Sequence, residues 1–223
     1  MTAPSPTLAV PRAHQIVSTV QGGSSPLEFR VVHAPNRLLD ILQLRRTAHL
    51  KAQKIGPHTT AAEMVEPRDL EASFVIAEEQ GRVVAAIRFV PPIDGTILHR
   101  ECQLEGDLSP LPPREQMLEV SSACVDPAYQ GQGLVWALVA RAWLAAPAFG
   151  RPYGIGACDE SLWRFWQRCG VRRLDAGYVG AVTGIRYRVI LLEFTEVLAG
   201  RGVGTQLARE LQLLRPDLGA LDS

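Results

Sequence analysis

The sequence lacks the residue clusters typical of metalloproteins and disulfide-rich proteins. It holds only four cysteines and five histidines in 223 residues. No C-x-x-C or H-x-x-x-H spacing occurs, so we expect no metal site. The cysteines, which lie far apart, are Cys102, Cys124, Cys158 and Cys169. This usage favours reduced thiols in a cytoplasmic protein.

An excess of either charge is also missing. The 23 basic and 23 acidic side chains give a formal net charge of zero, which argues against a dedicated nucleic-acid binder. The most apolar segment, residues 133–149, contains Arg141 and Pro147 and is too short to cross a membrane. The first residues show no basic region followed by an apolar core, so we expect no signal peptide.

What the chain does contain is enough apolar sequence for one core. Its apolar fraction of 47% is ordinary for a globular protein. Residues 1–26 are rich in Pro, Ser, Thr, Ala and Gly and are interpreted as a mobile arm. We expect a single domain over residues 27–200 and a C-terminal helix and tail over residues 201–223. Nothing in the sequence indicates an oligomeric state.

Strand and helix patterns alternate along this domain. Periodicity predicts strands over residues 27–33, 73–78, 82–90, 117–125, 153–158, 174–182 and 186–194. It predicts helices over residues 37–54, 131–146, 160–169 and 201–215. This order predicts an α/β fold of three layers, with a central mixed β-sheet flanked by helices. A ligand would then bind beyond the carboxyl end of the strand at 117–125.

A glycine-rich turn follows that strand directly. Residues 126–133 read Asp-Pro-Ala-Tyr-Gln-Gly-Gln-Gly, and a helical pattern begins after them. The start of a helix offers unpaired N–H groups and partial positive charge, and glycines allow a phosphate to approach the backbone. The P-loop lysine is missing, and Trp136 stands where a dinucleotide fingerprint requires a small residue. A phosphate-bearing cofactor and a plain strand–turn–helix corner both fit this segment.

The segment 125–135 resembles motif A of the GNAT acyltransferase superfamily. The matching features are Val-x-Pro-x-Tyr at 125–129, followed by Gln130 and Gly133. The likeness extends over about residues 71–171, through the strand at 153–159 and the aromatic segment at 165–171. The resemblance implies a GNAT-like fold that binds an acyl thioester as acyl-donor substrate. It assigns the pantetheine arm to the strand edge and the pyrophosphate to the turn, through Ala123, Cys124, Val125, Gln130, Gly131, Gln132, Gly133, Leu134 and Val135.

Within this superfamily, the chain is most similar in pattern to N-acyl amino acid synthases and acyl-homoserine lactone synthases. Glu119 and Ser121 match their central strand, whereas Ser122 replaces their arginine. The resemblance implies transfer of an acyl group from acyl-CoA or an acyl carrier protein to the amine of a small molecule. A non-catalytic acyl-thioester-binding or regulatory module on the same fold is the alternative.

Glu119 is the candidate base for this transfer. Strict alternation would place it on one face of the strand with Ser121, Ala123 and Val125. A carboxylate in an apolar strand is partly desolvated, which suits a general base. The competing interpretation is a structural ion pair with an arginine such as Arg114.

Three further residues occupy positions of interest. Trp166 stands where the superfamily usually has a tyrosine that protonates the leaving thiolate, and we interpret it as a core aromatic. Asp159, at a position usually held by Asn, could contact the cofactor arm but is equally explained as a helix N-cap. Cys124 could form an acyl-enzyme, but a small buried side chain is the simpler interpretation.

Overall fold

The computed structural model describes residues 20–22, 25–98, 101–181 and 183–214. Within these ranges the strands are β1 (Val20–Gly22), β2 (Ser25–His33), β3 (Ser73–Glu79), β4 (Arg82–Val90), β5 (Glu105–Gly106), β6 (Met117–Val125), β7 (Tyr153–Asp159), β8 (Arg172–Val179) and β9 (Arg186–Glu193). The α-helices are α1 (Leu38–Lys51), α2 (Leu134–Ala145), α3 (Trp163–Arg168), α4 (Phe194–Leu198) and α5 (Thr205–Leu214). None of these helices is long and apolar enough to span a membrane.

The strands form one sheet in the order β1-β2-β3-β4-β6-β7-β9-β8-β5. Among the described strands, β6 and β7 run parallel and the other neighbours are antiparallel. The parallel pair needs a crossover connection, which α2 supplies. The mixed sheet predicted from the alternation of elements is therefore confirmed.

Helices cover both faces of the sheet. On one face, α1 buries an apolar stripe that includes Leu38, Ile41 and Leu42 against β3 and β4. On the other, α2, α4 and α5 share a core with Trp143 and Phe194 at its centre. Apolar residues spaced three and four apart produce the stripe on α1, since they share one helix face. The three-layer α/β architecture is confirmed.

The sheet begins earlier in the chain than the sequence predicts. Gly22 pairs with Ser25 in a short hairpin between β1 and β2, so residues 20–22 and 25–26 of the predicted mobile arm lie in strands. Backbone pairing decides this, because the polar and small residues there show no apolar pattern. Residues 1–19, 23 and 24 of that arm lie outside the described residues.

The C-terminal helix packs into the same core as the rest of the domain. Leu207 is fully buried and Leu211 nearly so, both in the core that contains α2. Their spacing of four residues aligns them on one face of α5. Position 200 is therefore no boundary in packing, while residues 215–223 of the predicted tail lie outside the described residues.

Candidate active site

The two parallel strands pair over three residues and then separate. Met117, Leu118 and Glu119 of β6 lie opposite residues 153–155 of β7, and no later pair is formed between them. Both strands nevertheless continue, β6 to Val125 and β7 to Asp159. A cleft of about 640 Å³ opens between their diverging ends. Such a gap at the carboxyl end of parallel strands is where α/β sheets bind ligands.

A β-bulge in β6 sits at the mouth of this gap. Arg88 pairs with Ser121 and Ala86 with Cys124, so Ile87 of β4 lies opposite two residues of β6. Ser122 has a φ of 51° at this position. A bulge leaves a residue without its ladder partner and turns the strand. Residues 120–123 consequently line the cleft.

The bulge also overturns the predicted alternation of β6. Cys124 packs in the core beneath α1, whereas Val125 packs against the core beneath α2, on the same side as Val120. Strict alternation would have placed Val125 with Glu119 instead. The extra residue in the bulge shifts the alternation of side chains by one, so the residues after Ser121 lie on the opposite face of the sheet from the one predicted. Neither Cys124 nor Val125, both assigned to the donor site, lines the cleft.

Cys124 is buried, and the nearby charge of Arg45 offsets only part of the effect of burial on the pKa of its thiol. Burial raises the pKa of its thiol to about 12. Because the thiolate is the nucleophilic form, such a thiol is inert near neutral pH. The structure therefore favours the interpretation of Cys124 as a small core side chain.

The glycine turn joins β6 to α2. Asp126 begins it, accepting a hydrogen bond from the backbone N–H of Ala128 at 2.9 Å. Gly131 and Gly133 have φ values of 78° and 81°, and Gly133 is the N-cap of α2 with no side-chain cap. A Cβ on either glycine would meet no atom within 4 Å, so backbone conformation rather than crowding favours glycine here. The turn explains why α2 begins at Leu134 and not at the predicted residue 131.

Glu119 lies at the point where the strands separate. Its side chain is 3% exposed and lines the cleft. One carboxylate oxygen accepts from Arg68 at 2.9 Å and the other from Arg88 at 3.1 Å. The ion pair considered from the sequence exists, but with different arginines, because Arg114 pairs with Glu101.

Arg68 and Arg88 belong to a larger buried network. Arg88 also contacts Asp69 and Glu66, both at 2.7 Å. Asp69 in turn receives two hydrogen bonds from Arg45 on α1, each 2.8 Å long. Burial alone would raise the pKa of Asp69, but the hydrogen bonds and charge of Arg45 lower it. Removing one member of such a buried network leaves an uncompensated charge, at a cost of about 3–5 kcal/mol.

Sequence reasoning missed the arginines of this network. The available signal was a charged residue inside an apolar element, as in Val-Val-Ala-Ala-Ile-Arg-Phe-Val at residues 83–90. Arg45 likewise falls among the apolar residues of α1. Arginine is almost never fully buried unless paired, so its presence at a core position predicts a partner.

The opposite wall of the cleft carries Asp159 and two tyrosines. Asp159 accepts from the backbone N–H and hydroxyl of Ser161, at 3.0 and 2.7 Å, and pairs with Lys54 at 3.3 Å. Burial opposes ionisation, but the hydrogen bonds from Ser161 and the charge of Lys54 lower the pKa of Asp159. The rings of Tyr178 and Tyr187 stack with centroids 4.9 Å apart. Asp159 is thus an N-cap, as considered from the sequence, and also a cleft residue.

Trp166 lines the cleft as well. It is half-buried and its ring meets Phe165 edge-on, with centroids 5.0 Å apart. Phe165 contacts Trp136, in the first turn of α2, at 4.8 Å. The interpretation of Trp166 as a core ring is therefore only half right: one side packs on the core, and the other faces the cleft.

His49 is a cleft residue that the sequence did not single out. Burial, then the charges of Lys54 and Arg45, lowers the pKa of its imidazole from 6.5 to about 4, against an opposing effect of Glu66. The ring is therefore neutral near pH 7 and supplies one donor and one acceptor to the cleft. No group of three or more His, Cys, Asp or Glu side chains within the described ranges is placed to hold a metal ion.

The depressed pKa of His49 predicts acid sensitivity of the fold. The unfolded chain binds this proton near pH 6.5 and the native protein only near pH 4. Native stability should therefore fall as the pH drops through this window, by up to about 3 kcal/mol. Urea unfolding at about pH 7 and pH 4 should show a larger loss in the wild type than in His49→Asn, because the buried carboxylates contribute equally to the loss in both. The matched control is His58→Asn, at an exposed histidine, which should lose as much stability at pH 4 as the wild type. If both variants reduce the loss of unfolding free energy equally, the assignment to His49 is wrong.

Comparison with known proteins places this geometry in a family. The family model described as the acetyltransferase (GNAT) family matches residues 38–171. A sequence comparison with curated proteins found no significant match.

Several solved structures share the fold at low sequence identity. An acyl-CoA N-acyltransferase from Pseudomonas aeruginosa is 20% identical with a TM-score of 0.57, over 74% of this chain and 99% of that one. The CoA-dependent acyl-homoserine lactone synthase BjaI, solved with SAM and isopentyl-CoA, is 16% identical with a TM-score of 0.58, over 86% and 89%. Escherichia coli ElaA is 14% identical with a TM-score of 0.55, over 75% and 99%.

Proposed function

Because the chain belongs to the GNAT acetyltransferase family, whose enzymes use acyl-CoA as donor, we propose that it is an N-acyltransferase for a small amine. The acyl group comes from a thioester, acyl-CoA or acyl-phosphopantetheine on a carrier protein. The likeness of the central strand, through Glu119 and Ser121, to N-acyl amino acid synthases makes an amino acid the first acceptor to test. The free, buried cysteines Cys124, Cys158 and Cys169 suit a cytoplasmic setting.

The observation that carries this proposal is the bulged, splayed strand pair that ends in a glycine turn. Beyond Glu119 the backbone of β6 no longer pairs with β7. A pantetheine amide can therefore pair with the edge of β6 formed by Ala123, Cys124 and Val125. The pyrophosphate would lie on Gln130–Val135, where the uncapped N-terminus of α2 presents N–H groups. Only the backbone of Cys124 takes part, since its side chain is buried.

The reaction is a direct transfer. The amine nitrogen attacks the thioester carbonyl, a tetrahedral oxyanion forms, and the C–S bond breaks to release a thiol. The amine loses a proton and the thiolate gains one. Backbone N–H groups near the bulge stabilise the oxyanion, in the manner of an oxyanion hole.

We assign the base role to Glu119. It lies on the cleft floor where the strands part, within reach of an amine that approaches the thioester from the side of α1. Its carboxylate is 3% exposed, so the proton reaches it through a water molecule. Arg68 and Arg88 fix the orientation of both oxygens, which keeps the base in place.

An assay of thiol release tests the function. Acetyl-CoA, octanoyl-CoA and an octanoyl-loaded carrier protein are offered with a panel of amino acids and simple amines, and amide products are identified by mass spectrometry. Amide formation with any pair supports the proposal. Thioester binding without amide formation from any acceptor would favour the non-catalytic module, for which the missing tyrosine at Trp166 is the supporting observation.

Replacing Trp166 by tyrosine tests whether a side-chain acid matters at this position. We expect stability to fall by about 1 kcal/mol, since part of the edge-on contact with Phe165 is lost. The rate should stay within about twofold, because this half-exposed side of the cleft admits water, which can protonate the thiolate. Melting temperature and single-turnover rate are measured together. Trp163→Tyr, on the same helix and also half-buried, is the control; a faster Trp166→Tyr enzyme would show that the acid is needed.

A further inference from the structure

A cluster of arginines lies beside the cleft, outside the residues used above. Arg173, Arg186 and Arg188 surround the single carboxylate of Glu160, at 3.8, 3.8 and 3.4 Å. Three positive charges against one negative charge leave an excess of two at this spot. In a chain whose net charge is zero, such a local excess indicates a site for anionic partners.

Strand geometry places the cluster on the donor side of the sheet. Arg186 and Arg188 alternate with Tyr187, so they share a face with Ile190 and Leu192. Those two residues pack in the core beneath α2. The arginines therefore lie on the face that also carries the glycine turn, whereas Tyr187, on the other face of β9, lines the cleft.

Exposed apolar side chains accompany the arginines. Val179 pairs across the strands with Arg186, which puts both on one face, and it is 52% exposed. Leu162, two residues after Glu160, is 47% exposed and lines the rim of the cleft. Charged side chains around exposed apolar ones are the usual anatomy of a protein–protein contact.

We propose that this surface, formed by Leu162, Arg173, Val179, Arg186 and Arg188, docks a small acidic carrier protein that delivers the acyl chain on a phosphopantetheine arm. The inference rests on the proposed function and selects between its two donors. The point where the guanidinium groups converge is already occupied by Glu160. The remaining charge faces outward over two strands, and Arg186 is 61% exposed. This arrangement fits several carboxylates of an acidic surface better than one phosphate of CoA.

The test measures binding directly, apart from turnover. The probe is a bacterial acyl carrier protein that carries an octanoyl-pantetheine amide, which cannot transfer its acyl group. Reversing two charges, Arg173→Glu with Arg186→Glu, should weaken its binding at least about tenfold, with octanoyl-CoA affinity changed less than about twofold. Glu160→Gln should tighten carrier binding about two- to threefold. Added salt should weaken wild-type binding, because exposed charges are screened.

Arg209→Glu, an exposed change on α5 at a residue that does not line the cleft, controls for the effect of one charge reversal elsewhere and should leave carrier binding within about twofold. Equal weakening of CoA and carrier binding by the double reversal would overturn the proposal in favour of a CoA phosphate site. If carrier binding is unchanged in both the double reversal and Glu160→Gln, the docking proposal is wrong. If the wild type binds the carrier protein but forms no amide with any acceptor, the proposed function is wrong and the docking proposal stands.

Discussion

Replacing Glu119 by glutamine should lower the acyl-transfer rate by about 10²–10⁴-fold, the usual contribution of a general base. The affinity for the thioester should change little, because in the proposed site backbone groups of β6 and the turn, and not Glu119, bind the donor. The change is nearly isosteric, but it removes the negative charge that Arg68 and Arg88 share. Stability must therefore be measured along with rate, by urea unfolding and single-turnover kinetics under the same conditions.

Asp69→Asn is the matched control for this experiment. Asp69 is fully buried in the same network, where it pairs with Arg45 and Arg88, but it does not line the cleft. Both variants should lose stability on the same scale, and Glu119→Gln should lose far more rate. If the two variants lose the same amount of rate, Glu119 acts only through the network, as a structural ion pair and not as a base.

Replacing Gly133 by glutamate should reduce donor affinity by about 100-fold or more. A side chain at a φ of 81° is strained by about 1–2 kcal/mol. Its carboxylate would stand at the N-terminus of α2, where it occupies the anion position and repels a pyrophosphate. Calorimetry with CoA and octanoyl-CoA measures the loss.

Gly150→Glu is the control that separates the effect of backbone strain from the effect of blocking the anion site. Gly150 has a φ of 67°, its Cβ would also meet open space, and it lies beyond the other end of α2. Both variants should lower the melting temperature, Gly150→Glu by more, because a carboxylate is favourable at a helix N-terminus and unfavourable at a C-terminus. Only Gly133→Glu should lose the donor. If a folded Gly133→Glu protein binds CoA and octanoyl-CoA with unchanged affinity, the turn only connects β6 to α2 and does not bind the donor.

Local sequence determined the scaffold of the site. Gly131 and Gly133 specify a turn with positive φ, and the apolar run after them specifies a helix, so the strand–turn–helix unit can be predicted from adjacent residues. The family likeness of residues 125–135 rests on the same short-range information. Short-range signals also placed Glu119 on the central strand.

Tertiary structure alone decided what surrounds that scaffold. The bulge at Ser122 arises from the pairing of β4 with β6, and it reversed the side-chain faces that alternation predicts. The partners of Glu119 come from residues 31 and 51 positions away, Arg88 and Arg68. Periodicity reports which face of an element is buried, because that depends on nearest neighbours in sequence. It carries no information on which charges meet across a core or where two strands part, since those contacts exist only once distant segments pack together.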